Sequence, residues 1–373
     1  MNIFRGSRII INMRFVQIPN IDKTWGKVEI KTLSPSSFSW ICNGCAYQVL
    51  LQKVLSKMGN KSCLLPAHKN TILGTIIHKI YELTSKRLIT TPKEMMGIWE
   101  TLVEKQVKML TETYPTLRNP KINDYDKRNK TIRYAISLLQ KDNNYLETAS
   151  SNIKVNLEMR LSCEDIGLYG IADKVIIDSG NVDIVDYKSG HIKDLSGNIK
   201  QEYIIQLHLY ATMCEHLVVG NIRSLKLIDI DGTTHIVEYN SELRNRLLNE
   251  VEDKIYVLNN AISTLNFQNL VKPEKDRCSN CSCRHVCNYM IQYDDAVYKT
   301  IFGYVERIHS ANMYVLVYEN VRYYISGIDF YKITAPEYYI NKKLVFLNVI
   351  RSSQMSNDYT YKITENTIVY ELL

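Results

Sequence analysis

The chain of 373 residues has a net charge of +7, with 45% hydrophobic and 23% charged residues, the balance of an ordinary globular protein of two or three domains. No apolar run approaches the roughly 20 residues that span a bilayer, and the Ile9-Ile10-Ile11 patch is too short for a signal-peptide core, so no membrane partner and a cytoplasmic location are expected. The mild positive charge permits a polyanionic partner without requiring one, and nine cysteines in a reducing compartment favour metal or iron–sulfur ligation over disulfides.

Residues 1–33 read as an extended or β-containing lead-in with no functional signal. Ser34-Pro35-Ser36-Ser37 is a helix cap, and the helix it starts carries Trp40, Cys42, Cys45 and Tyr47. Cys42 and Cys45, three apart, fall on one helical face; small buried cysteines are the commoner use of that pattern. A second amphipathic helix over residues 70–82 stacks Gly74, His78 and Glu82 at intervals of four. A lone histidine there usually packs, and the glycine admits a close neighbour, either another backbone or a nucleic-acid strand. Residues 95–150 read as a helical cap.

The pattern then switches to period two, with Val155, Leu157, Met159 and Leu161 alternating with polar residues that include Glu158. Leu168–Ile177 and Asn181–Lys188 follow as strands joined by Asp178-Ser179-Gly180-Asn181. Alternation sets Asp186 and Lys188 on one face. A symmetric loop about Ser179-Gly180 sets Asp173 directly across from Asp186, with Cβ atoms roughly 5 Å apart. Two carboxylates so placed repel unless a cation lies between them, and a lysine beside them can orient an attacking water. The competing reading is a surface ion pair worth little, and for Glu158 an exposed strand residue outside any metal shell.

A helix over 202–213 puts Gln206 and Tyr210 on one face. A hairpin around Asp231-Gly232 and a long helix over 241–265 come next. Cys278, Cys281 and Cys287 lack a fourth ligand unless Cys283 or His285 completes a local zinc site, or a distant thiolate, Cys42 or Cys45, completes a shared one. From 298 onward five short strands suit a small closed barrel, OB-like by economy and SH3-like as the alternative. Tyr314, Tyr318, Tyr323 and Tyr324 are candidates for stacking unpaired bases, against the simpler reading of β-propensity. A chain ending near Tyr293 is expected to fold and cleave but to bind single-stranded DNA more weakly; a protein-docking barrel is the alternative.

Together these stretches resemble the RecB-like branch of the PD-(D/E)xK nucleases that carry an iron–sulfur cluster, such as the CRISPR-associated RecB-like exonucleases and AddB-type nuclease domains. The match runs through residues 34–290: Gly74 with His78, Gly170 with Asp173, Asp186-Tyr187-Lys188-Ser189-Gly190, Gln206 with Tyr210, and one early plus three late cysteines. The resemblance implies an α/β, restriction-endonuclease-like mixed sheet flanked by helices over 34–293, with a small β-barrel at 298–373 outside it. It implies that His78, Asp173 and Asp186 bind Mg²⁺ or Mn²⁺, with the Tyr187 carbonyl contributing. Lys188 is the catalytic lysine, and Gln206 and Tyr210 bind DNA or wall the site. Cys42, Cys278, Cys281 and Cys287 hold a 4Fe-4S cluster, with Cys45 as rival to Cys42 and Zn²⁺ as the alternative metal. The expected activity is a DNA exonuclease preferring single strands, working with a separate helicase or a CRISPR adaptation partner, since no Walker A sequence is present. The alternative is an inactive DNA-binding or adaptor subunit.

Overall fold

A short strand, β1 (Val16–Ile18), is the first element in a computed structural model that describes residues 14–57, 61–148, 153–292, 296–355 and 358–373. The Ile9–Ile11 patch and Tyr293 lie outside the described residues. Five helices follow: α1 (Pro35–Asn43), α2 (Ala46–Lys57), α3 (Lys69–Ser85), α4 (Pro92–Thr113) and α5 (Tyr125–Thr148). Their starts are written in the sequence. Ser34 accepts the Ser37 amide ahead of Pro35, and Thr91 and Glu94 form a reciprocal capping box around Pro92. Gly44 and Cys45 interrupt what the sequence reads as one helix, so α1 and α2 are separate and Cys42 and Cys45 share no face.

The central sheet takes β2 (Ile153–Cys163), β3 (Leu168–Asp178), β4 (Asn181–Lys188), β5 (Asn221–Asp229) and β6 (Thr234–Val237), in that spatial order. All pairs are antiparallel except β4 and β5, which run parallel and are joined by the crossover helix α6 (Gln201–His216). The sheet is therefore mixed, as expected, and is larger than the three-stranded meander legible in the sequence. The helices α7 (Ser241–Thr264) and α8 (Lys275–Asn280) lead to the cysteine loop.

The remaining strands are β7 (Lys299–Ser310), β8 (Met313–Tyr318), β9 (Val321–Ser326), β10 (Lys343–Met355), β11 (Asp358–Lys362) and β12 (Ile368–Leu372). β10 pairs with both β11 and β7, closing a five-stranded barrel in the order β7-β8-β9-β11-β10. The register against β7 shifts at Asn348, whose φ is +60°, and the register against β11 shifts between Arg351 and Ser353, so the two halves of β10 serve different partners.

The barrel is not an appendage. β12 pairs with β10 outside the closed ring and takes β1 as a parallel neighbour, so the lead-in is stitched into the C-terminal sheet. Val345, Leu347, Ile368 and Tyr370 belong to the same apolar core as the central sheet. Tyr370 donates its hydroxyl to the Leu64 carbonyl, and the Glu365 carbonyl accepts the Arg118 amide. Each such buried side chain is worth about 1.5–3 kcal/mol, so the expectation that a chain ending near Tyr293 folds is corrected: removal would strip a wall from the main core. Among the described residues no helix is long and apolar enough to cross a membrane.

Candidate active site and cysteine pocket

The site starts from a two-residue turn. Ser179 and Gly180 both have positive φ (50° and 81°), the conformation of a tight hairpin matched to strand twist. This sets the register Asp178 to Asn181 and Lys174 to Val185, and Asp173 comes next, across from Asp186. Ladder pairing stops there. The Asp173 carboxylate instead accepts the Tyr187 amide at 2.7 Å, which fixes one oxygen and leaves the other free to face α3. His78 arrives from α3 with Nδ1 3.3 Å from that second Asp173 oxygen and Nε2 3.1 Å from the Tyr187 carbonyl. Burial opposes the imidazolium, but Asp173 outweighs it and raises the His78 pKa to about 9.

Glu158 completes the group from β2. The β2–β3 ladder passes over it, and its φ of +49° is unusual for a residue with a side chain. Its carboxylate, a His78 ring nitrogen and an Asp173 oxygen all lie within 4.8 Å of one another. Burial and the neighbouring Asp173 raise its pKa. Two carboxylates and an imidazole converging beside a main-chain carbonyl are the hard oxygen and nitrogen donors that suit Mg²⁺ or Mn²⁺, and a dication would neutralise the stacked negative charge that folding has brought together.

On the same face, buried Asp186 faces Lys188, with Oδ2 2.6 Å from Nζ. Burial pushes the Asp186 pKa up, partly offset by Lys188. For Lys188, burial works against the ammonium, but Asp186 more than restores it and its pKa rises. Gln206 closes the triangle: its Oε1 accepts from Lys188 Nζ at 2.8 Å and its Nε2 donates to Asp186 Oδ1 at 3.2 Å. Gln206 therefore clamps the two charged residues. Tyr210, one turn along α6, is buried and donates its hydroxyl to the Ile171 carbonyl at 2.8 Å. It braces β3 from behind and offers no surface for DNA.

The motif glycines have steric reasons. A Cβ on Gly170 would sit 2.9 Å from the Tyr210 ring and 3.1 Å from Pro35, so this glycine makes room for that brace. A Cβ on Gly74 would come to 3.2 Å from Ser189 Oγ, so the close neighbour admitted by α3 is the end of β4. One contact went unseen in the sequence: the Tyr203 ring lies under Lys188 Nζ, 4.6 Å from its centroid. Its position three residues before Gln206 on the same helix was the available signal.

The second cluster is a pocket lined by Cys45, Cys278, Cys281 and Cys287. Cys42, the first ligand by resemblance, does not line it. The break at Gly44 turns Cys42 toward Glu250 and Lys254 of α7, while burial raises its pKa, and Cys45 faces the late cysteines instead. Of the residues that could complete a local zinc site, His285 is engaged elsewhere, whereas Cys283 lies against Cys281. His285 Nε2 is 2.8 Å from the Cys63 carbonyl and its ring stacks on Tyr370, while burial lowers its pKa to about 4. Cys283 is buried with its sulfur 3.9 Å from the Gln48 carbonyl. All nine cysteines are free. Four thiols around one pocket, from opposite ends of the chain, fit a thiolate-bound cluster.

A mixed sheet whose hairpin carries two aspartates and a lysine, met by a histidine from α3, is an arrangement suited to phosphodiester hydrolysis. The family model of the PD-(D/E)XK nuclease superfamily matches residues 32–288, and the chain belongs to that superfamily. Its members generally use divalent metals. Among solved structures, the chain is similar to a candidate exonuclease from Eubacterium rectale, at 14% identity and a TM-score of 0.38, covering 72% of this chain and 91% of that one. It is also similar to a Vibrio cholerae protein at 11% identity and a TM-score of 0.21, covering 66% and 58%. No curated protein matches.

Proposed function

We propose that the protein is a divalent-metal-dependent DNA nuclease of the RecB-like branch, acting as an exonuclease with a preference for single strands. The observation that carries this reading is the closed triangle of Asp186, Lys188 and Gln206 beside the His78, Asp173 and Glu158 group. His78, Asp173 and Glu158 would hold the metal beside the Tyr187 carbonyl, with Asp186, a further ligand by resemblance, next to them. The metal supplies Lewis-acid polarisation of the phosphate and an acidified water. The chain's own contribution is to keep Lys188 charged and aimed. Asp186 and Gln206 take two of its three donors, and Tyr203 covers another side, which leaves the ammonium fixed where it can orient a nucleophile or meet charge on the phosphate.

The iron–sulfur reading is carried to Cys45, Cys278, Cys281 and Cys287, on the strength of the pocket they share. Such a cluster would be structural, since hydrolysis transfers no electrons. The strand order of the barrel, with β9 and β11 parallel, supports the OB-like reading. The inactive-adaptor alternative is disfavoured because Asp173, Asp186, Lys188 and Gln206 are all present and meet in one group. The test is incubation of anaerobically purified protein with end-labelled single- and double-stranded DNA. Cleavage with Mg²⁺ or Mn²⁺ that stops in EDTA is expected, and no cleavage with either ion sinks the reading.

A further inference from the structure

Resting on that nuclease reading, the geometry points to a groove that carries the unpaired strand away from Lys188, with Trp40 as a stacking platform. The groove opens between α1, the start of α3, the cysteine loop and the entry to β7, and holds about 1380 Å³. Small-molecule pockets run to roughly 300–1,000 Å³, so this one is sized for a segment of polymer. It is continuous with the reactive centre, because Tyr203 is part of its wall and the same ring lies under Lys188.

Three observations select a strand of unpaired bases as the occupant. The first is Trp40. The chain has three tryptophans; Trp25 and Trp99 are 2% and 0% exposed, whereas Trp40 is 49% exposed and lines the groove. An indole left half in water is costly unless something covers it. Its ring is also held in place: a Cβ on Gly44 would overlap Trp40 Cε3, so the indole rests on bare backbone with its remaining surface toward the groove. The second is Tyr298, 55% exposed where the groove meets the barrel, a second ring for a base to reach.

The third is charge. Lys275, Arg277 and Arg284 in the groove are matched by Glu202, Glu274 and Asp276. Arg277 is already 3.0 Å from Glu274, and Arg284 donates to Asn348 and the Cys281 carbonyl. A duplex offers mainly phosphates and would need a cationic surplus. Unpaired bases offer faces that stack regardless of sequence. The barrel does not compete for this role at Tyr314, which is buried in its core with its hydroxyl on the Pro336 carbonyl. Nor does it at Tyr323, which packs against Tyr359.

The test uses the full-length, cluster-loaded protein in EDTA, with fluorescein-labelled oligothymidine followed by anisotropy and tryptophan emission followed in parallel. Wild type should bind the strand with a change in tryptophan emission and should bind the matching duplex more weakly. Trp40→Phe should lose the emission change and keep affinity within about 3-fold, since a ring remains. Trp40→Ala should weaken strand binding roughly 5- to 100-fold, the range for one stacked base, by a similar factor at low and high salt. Unchanged melting temperatures guard against misfolding. Strand binding by Trp40→Ala equal to wild type, with a silent wild-type emission, overturns the groove and leaves metal-dependent cleavage standing. Tighter binding of duplex than of strand also overturns it. Loss of cleavage with both metals is a separate result that sinks the nuclease reading instead.

Discussion

The active site and the cysteine pocket both collect residues far apart in sequence, but they are assembled differently. In the active site, Asp173, Asp186 and Lys188 ride on one hairpin, and α3 and α6 each add a side chain that hydrogen-bonds into it. Its polar atoms already hold one another, so the geometry stands on the protein alone. In the cysteine pocket, Cys45 comes from the gap between α1 and α2 and the others from 278–287, and burial raises the Cys287 pKa to about 12. Those thiols are placed by packing and by main-chain contacts, Cys45 on the Leu270 carbonyl and Cys281 under the Cys283 amide. A preorganised site should lose function when one residue is changed and keep its fold. A site closed by a bound group should lose fold first.

The largest effect expected on the first side of that comparison is at Lys188. Lys188→Ala should slow cleavage about 10²- to 10³-fold, the loss of one aimed donor at a charged transition state, with melting within a few degrees of wild type. A variant that cleaves normally would break the preorganised picture. The second side predicts the reverse order of damage. Cys281→Ser or Cys45→Ser should abolish the brown colour of anaerobically purified protein and lower its melting temperature before any effect on chemistry is measured. Cys42→Ser should stay coloured. A colourless Cys42→Ser with a coloured Cys45→Ser would restore the assignment made by resemblance.

How far these sites were legible depended on how local their determinants are. The register that faces Asp173 with Asp186 could be read because Ser179-Gly180 is a turn of fixed geometry, and the observed ladder keeps it. The Lys188, Asp186 and Gln206 contacts follow from strand alternation and one helix. The choice between Cys42 and Cys45 could not be read, because it turns on a helix break at Gly44 that reverses which residue faces inward. β12 was missed, and β1 was legible only as a β-containing lead-in without its partner, for a related reason. Each is short, and among the described residues β1 finds its pairing partner more than 350 residues away. The barrel tyrosines looked alike in sequence, and only closure of the strands shows Tyr314 pointing inward while Tyr318 stays at the rim, 39% exposed.

A smaller effect sharpens the comparison within the central sheet. Asp183, on the opposite face of β4 from Asp186, is buried yet fully partnered, accepting from Arg223, Ser224 and Lys226. Burial alone would raise its pKa, but these partners win and lower it to about 2. Its stabilisation is therefore present above the ordinary carboxylate range near 4 and is lost as pH falls through about 2. Asp183→Asn should cost about 2 kcal/mol at neutral pH, read by urea unfolding. The cost should shrink below pH 4. A pH-independent difference would mean the network is not electrostatic. Cleavage at neutral pH by the folded variant should be within a few-fold of wild type.

The central claim is that the hairpin bearing Asp173, Asp186 and Lys188 is a metal-dependent phosphodiesterase centre. It is tested most directly by following end-labelled single-stranded DNA with Mg²⁺ or Mn²⁺, comparing wild type with freshly purified Asp186→Ala. The account predicts metal-dependent shortening from an end by wild type, and at least about 100-fold slower product formation by a folded Asp186→Ala. Equal digestion by the two proteins would contradict it and move the chemistry elsewhere in the molecule.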